Sequence, residues 1–487
     1  MTRLVRHLRP GLPPLARETG ESLGAQVALS TTGMVLAGVV RFAYSVLIGL
    51  VLGNLAVGEV NSGISLALFV SLLYPSATAM AVTKFLARAR GAGHLDEART
   101  VTGYLLRVTY LTAALLAGAT LVVTPGLLHL GWGEAVGVAA LVLANSGYLF
   151  ARSLLFGAGR VTRATVWDLA TTVLSLALLG AVLVGRLSSL LLVPLTAGYA
   201  VYALANLPRG ARGRPPSALR AEMLAFVHIS LLNSLATSGV LQLAMVAAQH
   251  WDRPQAGSFA AAIALATPAS LVSRSISSVL FPTLATAHGR GDAEGARRQV
   301  DVLTRSLLVI SLGIFGTLMV LSPLLIRVFF PKPEFASAAT VLPILLAAVM
   351  VQNMVVAATN MQLTRSHAGA RGVMTASLVG AAVAVVSWAA FAPIGGYVAV
   401  AWGFLASAVV ASALPALAVW RADRMPWLSP LLRAAVGAGA AAALAAWMLR
   451  TQAGPVLQVA AALGFLAGWL LLGWRDTLMA VRLALRR

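Results

Sequence analysis

Apolar runs of 18 or more residues recur along almost the whole chain, and each is long enough to cross a lipid bilayer as an α-helix. Only 10% of the 487 residues are charged and 59% are hydrophobic, whereas a soluble domain carries about 25% charged residues. The longest polar stretch inside the chain, around residues 207–222, has the size of a linker. The sequence therefore predicts an all-α polytopic membrane protein.

Fourteen membrane spans are predicted from the apolar runs and the polar residues that separate them. They lie near 27–53, 61–83, 104–128, 135–156, 165–185, 188–206, 223–250, 257–283, 305–329, 338–361, 373–393, 397–420, 433–449 and 455–474. With the N-terminus inside, the inner segments carry 29 of the 36 Lys and Arg residues and the outer segments carry five. Because cytoplasmic loops are enriched in Lys and Arg, this alternation supports a multi-pass protein of the cell membrane with both termini in the cytoplasm.

One inner loop and the helix that follows it occur twice in the sequence. The segment LARARGAGHLDEAR, residues 86–99, returns as LATAHGRGDAEGAR, residues 284–297, and a gapless shift of 198 positions gives 13 identities over 42 positions. Arg107 and Arg305 form one of the matched pairs. Since six helices separate the two copies, the copies share one orientation. We predict two parallel-repeat six-helix lobes around a central cavity, followed by a C-terminal helix pair.

These features predict five segments along the chain. They are a basic cytoplasmic tail at 1–26, an N-lobe at 27–206, a cytoplasmic linker at 207–222, a C-lobe at 223–420, and the last two helices with a basic tail at 421–487.

The sequence contains no pattern that is typical of an enzyme. Histidines are scattered without ligand spacing, cysteine is absent, and neither paired carboxylates nor a phosphate-binding glycine loop is found. We therefore predict no catalytic residues, no metal site and no cofactor. The net charge of +21 follows the membrane topology, so we expect no nucleic-acid partner.

Two arginines, Arg41 and Arg274, lie well inside predicted spans and away from their ends, where each positive charge costs about 2.5–3.5 kcal/mol. Asp168 is the only carboxylate predicted within a span, and the nearby Arg163 is its candidate partner. A guanidinium group binds phosphate in bidentate fashion. We predict an anion site with one arginine from each lobe and Lys84 at its inner mouth. Pairing with backbone carbonyls, and for Lys84 a snorkelling role, are the alternatives.

A second set of polar side chains within the spans is predicted to line the transport path. Its members are Asn233, Gln242, Gln352 and Asn353. Hydrogen bonding between helices is the alternative role for each of them. Asp168 is in addition the candidate for coupling transport to protons or sodium ions.

The stretches RFAYSVLIGLVLG, FLARARGAGHLDEAR and LFPTLATAHGRGDAEGAR resemble the MOP superfamily of flippases and exporters, and are most similar to its polysaccharide-transporter branch of Wzx-like oligosaccharide flippases. This resemblance implies a substrate in which an oligosaccharide is linked to undecaprenyl pyrophosphate. The substrate would move from the inner to the outer leaflet by alternating access. Membrane lipids, and envelope polymerases or glycosyltransferases, are the implied partners.

Two sister branches and a non-transporting scaffold are the alternatives. Multidrug and toxin extrusion proteins use acidic residues, and the first, second, seventh and eighth predicted spans contain no Asp or Glu. The lipid II flippases also have fourteen helices and cavity arginines, and the stretch from Gly38 to Arg41 resembles part of their first-helix motif. That motif continues with an acidic residue where this chain has Phe42, and its Ser-Arg pair falls on Met34 and Val35. These departures favour the oligosaccharide branch.

Overall fold

A computed structural model of the chain describes residues 38–208, 213–268, 280, 284 and 292–474. The backbone in these ranges is almost entirely helical and forms no β-strand. Within the same ranges, nine helices are long and apolar enough to cross a membrane, or ten if one bent pair is a single span. The predicted all-α polytopic architecture is confirmed.

The chain divides into two compact units, Met1–Arg253 and Pro254–Arg487. In the first unit we number the described helices α1 (Gly38–Val51), α2 (Asn54–Leu73), α3 (Pro75–Gly91), α4 (Leu95–Leu128), α5 (Trp132–Gly157), α6 (Val161–Val184), α7 (Val193–Asn206), α8 (Ser217–Ser234) and α9 (Val240–Trp251). This unit therefore includes the seventh predicted span, which the sequence-based segmentation assigned to the C-lobe. The predicted segment boundaries stay a prediction.

Helix α5 is the centre of the first unit and packs against α2, α3, α4 and α7. Its apolar side chains Phe150 and Leu154 join Phe85 and Leu86 of α3 and Met223 of α8 in one fully buried cluster. Helix α8 is thereby packed onto α3, which places the start of the seventh predicted span beside the end of the second.

The second unit contains eight described helices. They are α10 (Ala256–Ala266), α11 (Ala293–Val320), α12 (Ser322–Phe329), α13 (Ala338–Met354), α14 (Val356–Arg365), α15 (His367–Asp423), α16 (Leu428–Arg450) and α17 (Pro455–Leu472). Helix α11 packs against α13, α16 and α17, while α15 packs against α13 and α14. Leu307, Met361, Val419 and Trp427 belong to the buried core between these helices.

Several spans are interrupted within their length. The second predicted span breaks at Tyr74, directly before Pro75, which lacks the backbone N–H that would continue the helix. The seventh contains a π-helical segment, Leu235–Gly239, and the tenth bends by 42° at Val355. Gly396 has φ 54° and ψ −144°, a conformation that suits glycine, and it divides α15 into the eleventh and twelfth spans.

Large apolar side chains cover much of the outer surface of the helices. Leu111 and Leu115 of α4 are 67% and 75% exposed, and Ile394 of α15 is 91% exposed. Water would be a poor solvent for such a surface, whereas lipid hydrocarbon suits it.

Candidate functional site

A buried ion pair lies inside the first unit. Asp168 of α6 is only 5% exposed. One of its carboxylate oxygens accepts a hydrogen bond from Nε of Arg152 at 3.0 Å, and the other accepts one from the Tyr148 hydroxyl at 3.0 Å. Arg152 and Tyr148 stand four residues apart on α5, so they present their side chains on one face of that helix. The carboxylate is thus neutralised by a neighbouring helix.

Aromatic rings extend this polar cluster towards α7. The Tyr148 ring stacks on Tyr199 at 4.7 Å between centroids and meets Tyr202 edge-on at 4.8 Å. Beside the rings lies a small cavity of about 30 Å³, which is lined by Asp168 and by side chains of α1, α6 and α7. This volume is enough for one or two water molecules.

Arg41 of α1 lies at the edge of the same region and is half-buried. Its charge acts on the Tyr199 hydroxyl, and its neighbour Val40 lines the small cavity. One turn further along α1, the Tyr44 hydroxyl donates to the backbone carbonyl of Leu191. These contacts fix α1 against the start of α7. A positive charge, phenol hydroxyl groups and a small cavity are therefore grouped within the apolar first unit.

Lys84 lies near the end of α3 and is exposed. Its Nζ is 4.2 Å from the centroid of the Phe226 ring and 5.1 Å from that of Phe85, which are distances of cation–π contact. One turn later, Arg88 binds Glu222 of α8 at 2.8 Å. The ammonium group of Lys84 therefore contacts two aromatic rings, and the exposed side chain can still be reached by an anion.

The other predicted site residues are spread over both units. Arg274 lies outside the described residues, as does the side chain of Asn233. Gln242 is half-buried on α9, and Gln352 is exposed on α13. Asn353 is 1% exposed, and its Nδ2 donates to the carbonyl of Val349 one turn earlier in the same helix.

The candidate partner that the sequence offered for Asp168 was wrong. Nε of Arg163 donates instead to Oδ1 of Asn206 on α7 at 2.9 Å. The sequence reasoning also missed Arg152 and Tyr148. Their i, i+4 spacing in the stretch YLFAR was the available signal, because two polar residues on one face of an apolar helix must meet a polar neighbour.

The second unit contains an apolar cavity of about 370 Å³ between α11, α13, α14, α15 and α16. Its walls include Met350, Leu417, Trp420 and Ala434. The lining is mostly apolar and contains no charged side chain, so it suits hydrocarbon better than an anion. Among the residues that the structure describes, no group of three or more His, Asp or Glu side chains is arranged to hold a metal ion.

No protein-family model matches the chain, and no curated protein matches it in sequence. Solved structures do match its fold. Lipid II flippase MurJ in an inward closed conformation has a TM-score of 0.67 at 11% identity, covering 94% of this chain and 99% of that chain. An inward-facing multidrug resistance MATE family transporter of the MOP superfamily has a TM-score of 0.56 at 15% identity, covering 84% and 96%. The chain has the fold of the MOP superfamily.

A third neighbour with the MOP fold is the MATE multidrug transporter DinF-BH in complex with R6G. It has a TM-score of 0.56 at 17% identity, with 84% of this chain and 99% of that chain covered. The described helices accordingly follow the fold of proteins named as transporters. The resemblance of the sequence to the MOP superfamily is confirmed at the level of the fold.

Proposed function

We propose that the chain is a flippase that moves an oligosaccharide linked to undecaprenyl pyrophosphate from the inner to the outer leaflet of the cell membrane. The observation that carries this proposal is the likeness to a lipid II flippase over 94% of the chain. Arg41 provides a candidate binding group for the substrate, because a guanidinium group among apolar helices suits the pyrophosphate of a lipid-linked sugar.

Arg41 is the first residue proposed to bind the pyrophosphate. The residue is half-buried rather than enclosed, which is compatible with contact between its guanidinium group and a ligand. The nearby Tyr199 hydroxyl can donate a further hydrogen bond to a phosphate oxygen. Lys84 is proposed to bind the same group earlier, as the substrate enters from the inner leaflet. Arg274 is proposed as the arginine of the second lobe.

The lipid II flippase is the second candidate. The likeness in fold to MurJ favours it, and so does the stretch GVVR that ends at Arg41. Against it stand Phe42, where the lipid II motif has an acidic residue, and the missing Ser-Arg pair upstream. Cation export is disfavoured because Asp168, the carboxylate predicted within a span, already binds Arg152, and Glu59 of α2 binds Arg253.

The membrane potential can supply the energy for this reaction. An inside-negative potential favours outward movement of an anion by about 2.3 kcal/mol per charge per 100 mV. The two lobes are proposed to alternate between inward and outward openings while the lipid tail stays in the bilayer. Translocation that continued unchanged after the potential had been collapsed would contradict this energetic account.

The experiment that tests the proposal is translocation of lipid-linked oligosaccharide in proteoliposomes, with lipid II as the competing substrate. We expect Arg41→Ala to abolish translocation and Arg41→Lys to reduce it, because lysine cannot bind pyrophosphate in bidentate fashion. Arg450→Ala, at the end of α16, is the matched control and should keep full activity.

Each other outcome of this experiment has a distinct meaning. Faster movement of lipid II than of the oligosaccharide would select the second candidate. Full activity of Arg41→Ala would refute the proposed anion site. Absence of translocation by the wild-type protein would favour a scaffold that recruits envelope polymerases or glycosyltransferases.

A further inference from the structure

The matched arginines of the repeated segment, Arg107 and Arg305, have different surroundings. Nε of Arg305 binds both carboxylate oxygens of Asp301 at 3.1 Å, one turn earlier in α11. Its Nη2 also donates to the carbonyl of Pro426 at 3.0 Å, and its side chain is only 18% exposed. In the second unit the arginine is therefore neutralised by the protein itself.

Arg107 of α4 cannot form the equivalent pair. The residue one turn earlier, in the position of Asp301, is Gly103. Arg107 is exposed, and it forms neither an ion pair nor a hydrogen bond with any other residue in the described ranges 38–208 and 213–253 of its unit. No carboxylate in this part of the chain neutralises it, so its charge is available to an anion from outside.

The length of α4 sets the depth of Arg107 in the membrane. The helix ends at Leu128, 21 residues after Arg107, and a rise of 1.5 Å per residue makes this about 32 Å. The hydrocarbon core is about 30 Å thick, so Arg107 lies at the level of the lipid headgroups when Leu128 lies at the opposite boundary. The basic residues of the adjoining loop predict that this is the cytoplasmic leaflet.

The face of α4 on which Arg107 lies is the lipid-facing one. Leu111, Leu115 and Val122 follow it at helical spacing and are 67%, 75% and 70% exposed. A lipid molecule that lies along this face places its chains on the apolar side chains and its phosphate beside the guanidinium group.

We propose that Arg107 binds the phosphate of an anionic phospholipid in the inner leaflet, with the lipid chains lying along Leu111 and Leu115. Arginine suits this role because its planar donors match two phosphate oxygens. The two copies of the repeat would then differ only in the partner of the matched arginine: Arg305 pairs with Asp301 of the protein, and Arg107 pairs with a lipid phosphate. The site is separate from the one proposed for Arg41, and its occupation does not depend on translocation.

The absence of cysteine from the chain allows a site-specific test. Leu111→Cys introduces a single thiol one turn from Arg107, which is labelled with bimane. The protein is placed in phosphatidylcholine vesicles that contain brominated phosphatidylglycerol or brominated phosphatidylcholine, and quenching gives the relative affinity for the anionic lipid. We expect Arg107→Gln to lower this preference about fivefold, which corresponds to about 1 kcal/mol for one arginine near the surface. Arg107→Lys should keep part of it, because lysine retains the charge but not the bidentate geometry.

Two controls separate a local site from general attraction of the basic face. Arg99→Gln removes the same charge from α4 eight residues earlier, about 12 Å further from the bilayer, and should leave the preference unchanged. A label at Leu463→Cys, which is exposed on α17, should not respond to Arg107→Gln.

An unchanged preference in Arg107→Gln, or an equal loss in Arg99→Gln, would overturn the proposal. If the glutamine variant did not fold, the test would be the salt dependence of the lipid preference in the protein that retains Arg107. The preference reported by the label of the Leu111→Cys variant must then fall as ionic strength rises, and a preference independent of salt would overturn the proposal.

Discussion

The ion pair between Asp168 and Arg152 makes a quantitative prediction about stability. Opposite unit charges about 4 Å apart attract by about 4 kcal/mol at an effective dielectric constant of about 20, and breaking a buried pair costs about 3–5 kcal/mol. Asp168 is 5% exposed but Arg152 is 22% exposed, so we take the lower end of this range. We expect Asp168→Asn to reduce the free energy of unfolding by about 3 kcal/mol.

The reason for this loss is the charge that remains on Arg152. The asparagine can still accept a hydrogen bond from Tyr148, but it leaves a guanidinium group among apolar helices without its counter-ion. In the double variant Asp168→Asn/Arg152→Gln both charges are absent. The double variant should therefore be more stable than the sum of the single losses predicts, with a coupling energy of about 2 kcal/mol.

The assay is equilibrium unfolding in detergent micelles, followed by tryptophan fluorescence for the wild type, the two single variants and the double variant. A second cycle that combines Asp168→Asn with Arg163→Gln is the matched control. Because Arg163 binds Asn206 instead of the carboxylate, we expect its effects to add within about 0.5 kcal/mol. Additive losses in the Arg152 cycle would refute the electrostatic reasoning.

The same variants test whether Asp168 couples transport to an ion. Full translocation by the double variant would assign Asp168 a structural role and remove the coupling hypothesis. If the double variant were stable but no longer responded to a proton or sodium gradient that drives the wild type, Asp168 would be the coupling residue.

Two further predictions concern packing and ion pairing in the second unit. A Cβ atom on Gly380 would lie 2.8 Å from the Ser407 carbonyl oxygen, so Gly380→Val should destabilise the protein by about 1–3 kcal/mol, measured by unfolding in detergent; Gly439→Val, where no atom lies within 4 Å, should not. Asp301→Asn removes the charged partner of Arg305 and should reduce the free energy of unfolding by about 1.5–3 kcal/mol. Because Arg305 also binds the Pro426 carbonyl in the connection to α16, trypsin should cleave that connection faster in the variant, and an unchanged cleavage rate would contradict this reasoning.

Much of the fold could be predicted because the bilayer restricts the chain so strongly. A span must be a helix of about 20 apolar residues, and every described helix of span length overlaps a predicted span. The break at Pro75 could likewise be predicted, because proline interrupts a helix. The 42° bend at Val355 could not be predicted in this way, because the residues around it include neither proline nor glycine; α13 and α14 both pack on α15.

The partner of Asp168 shows where sequence reasoning about the site reached its limit. Arg163 precedes Asp168 by five residues on α6, and five residues at about 100° each place the two side chains about 140° apart around the helix. Helical geometry alone therefore argues against their pairing, and proximity in sequence was misleading. The identity of the true partner depends on which helix faces Asp168, which is a property of tertiary packing. Helix α5 provides that face, and both oxygens of the carboxylate are used by Tyr148 and Arg152. The charge of Arg41 thus lies beside a pair that is already neutral, and the proposed anion site rests on this arrangement.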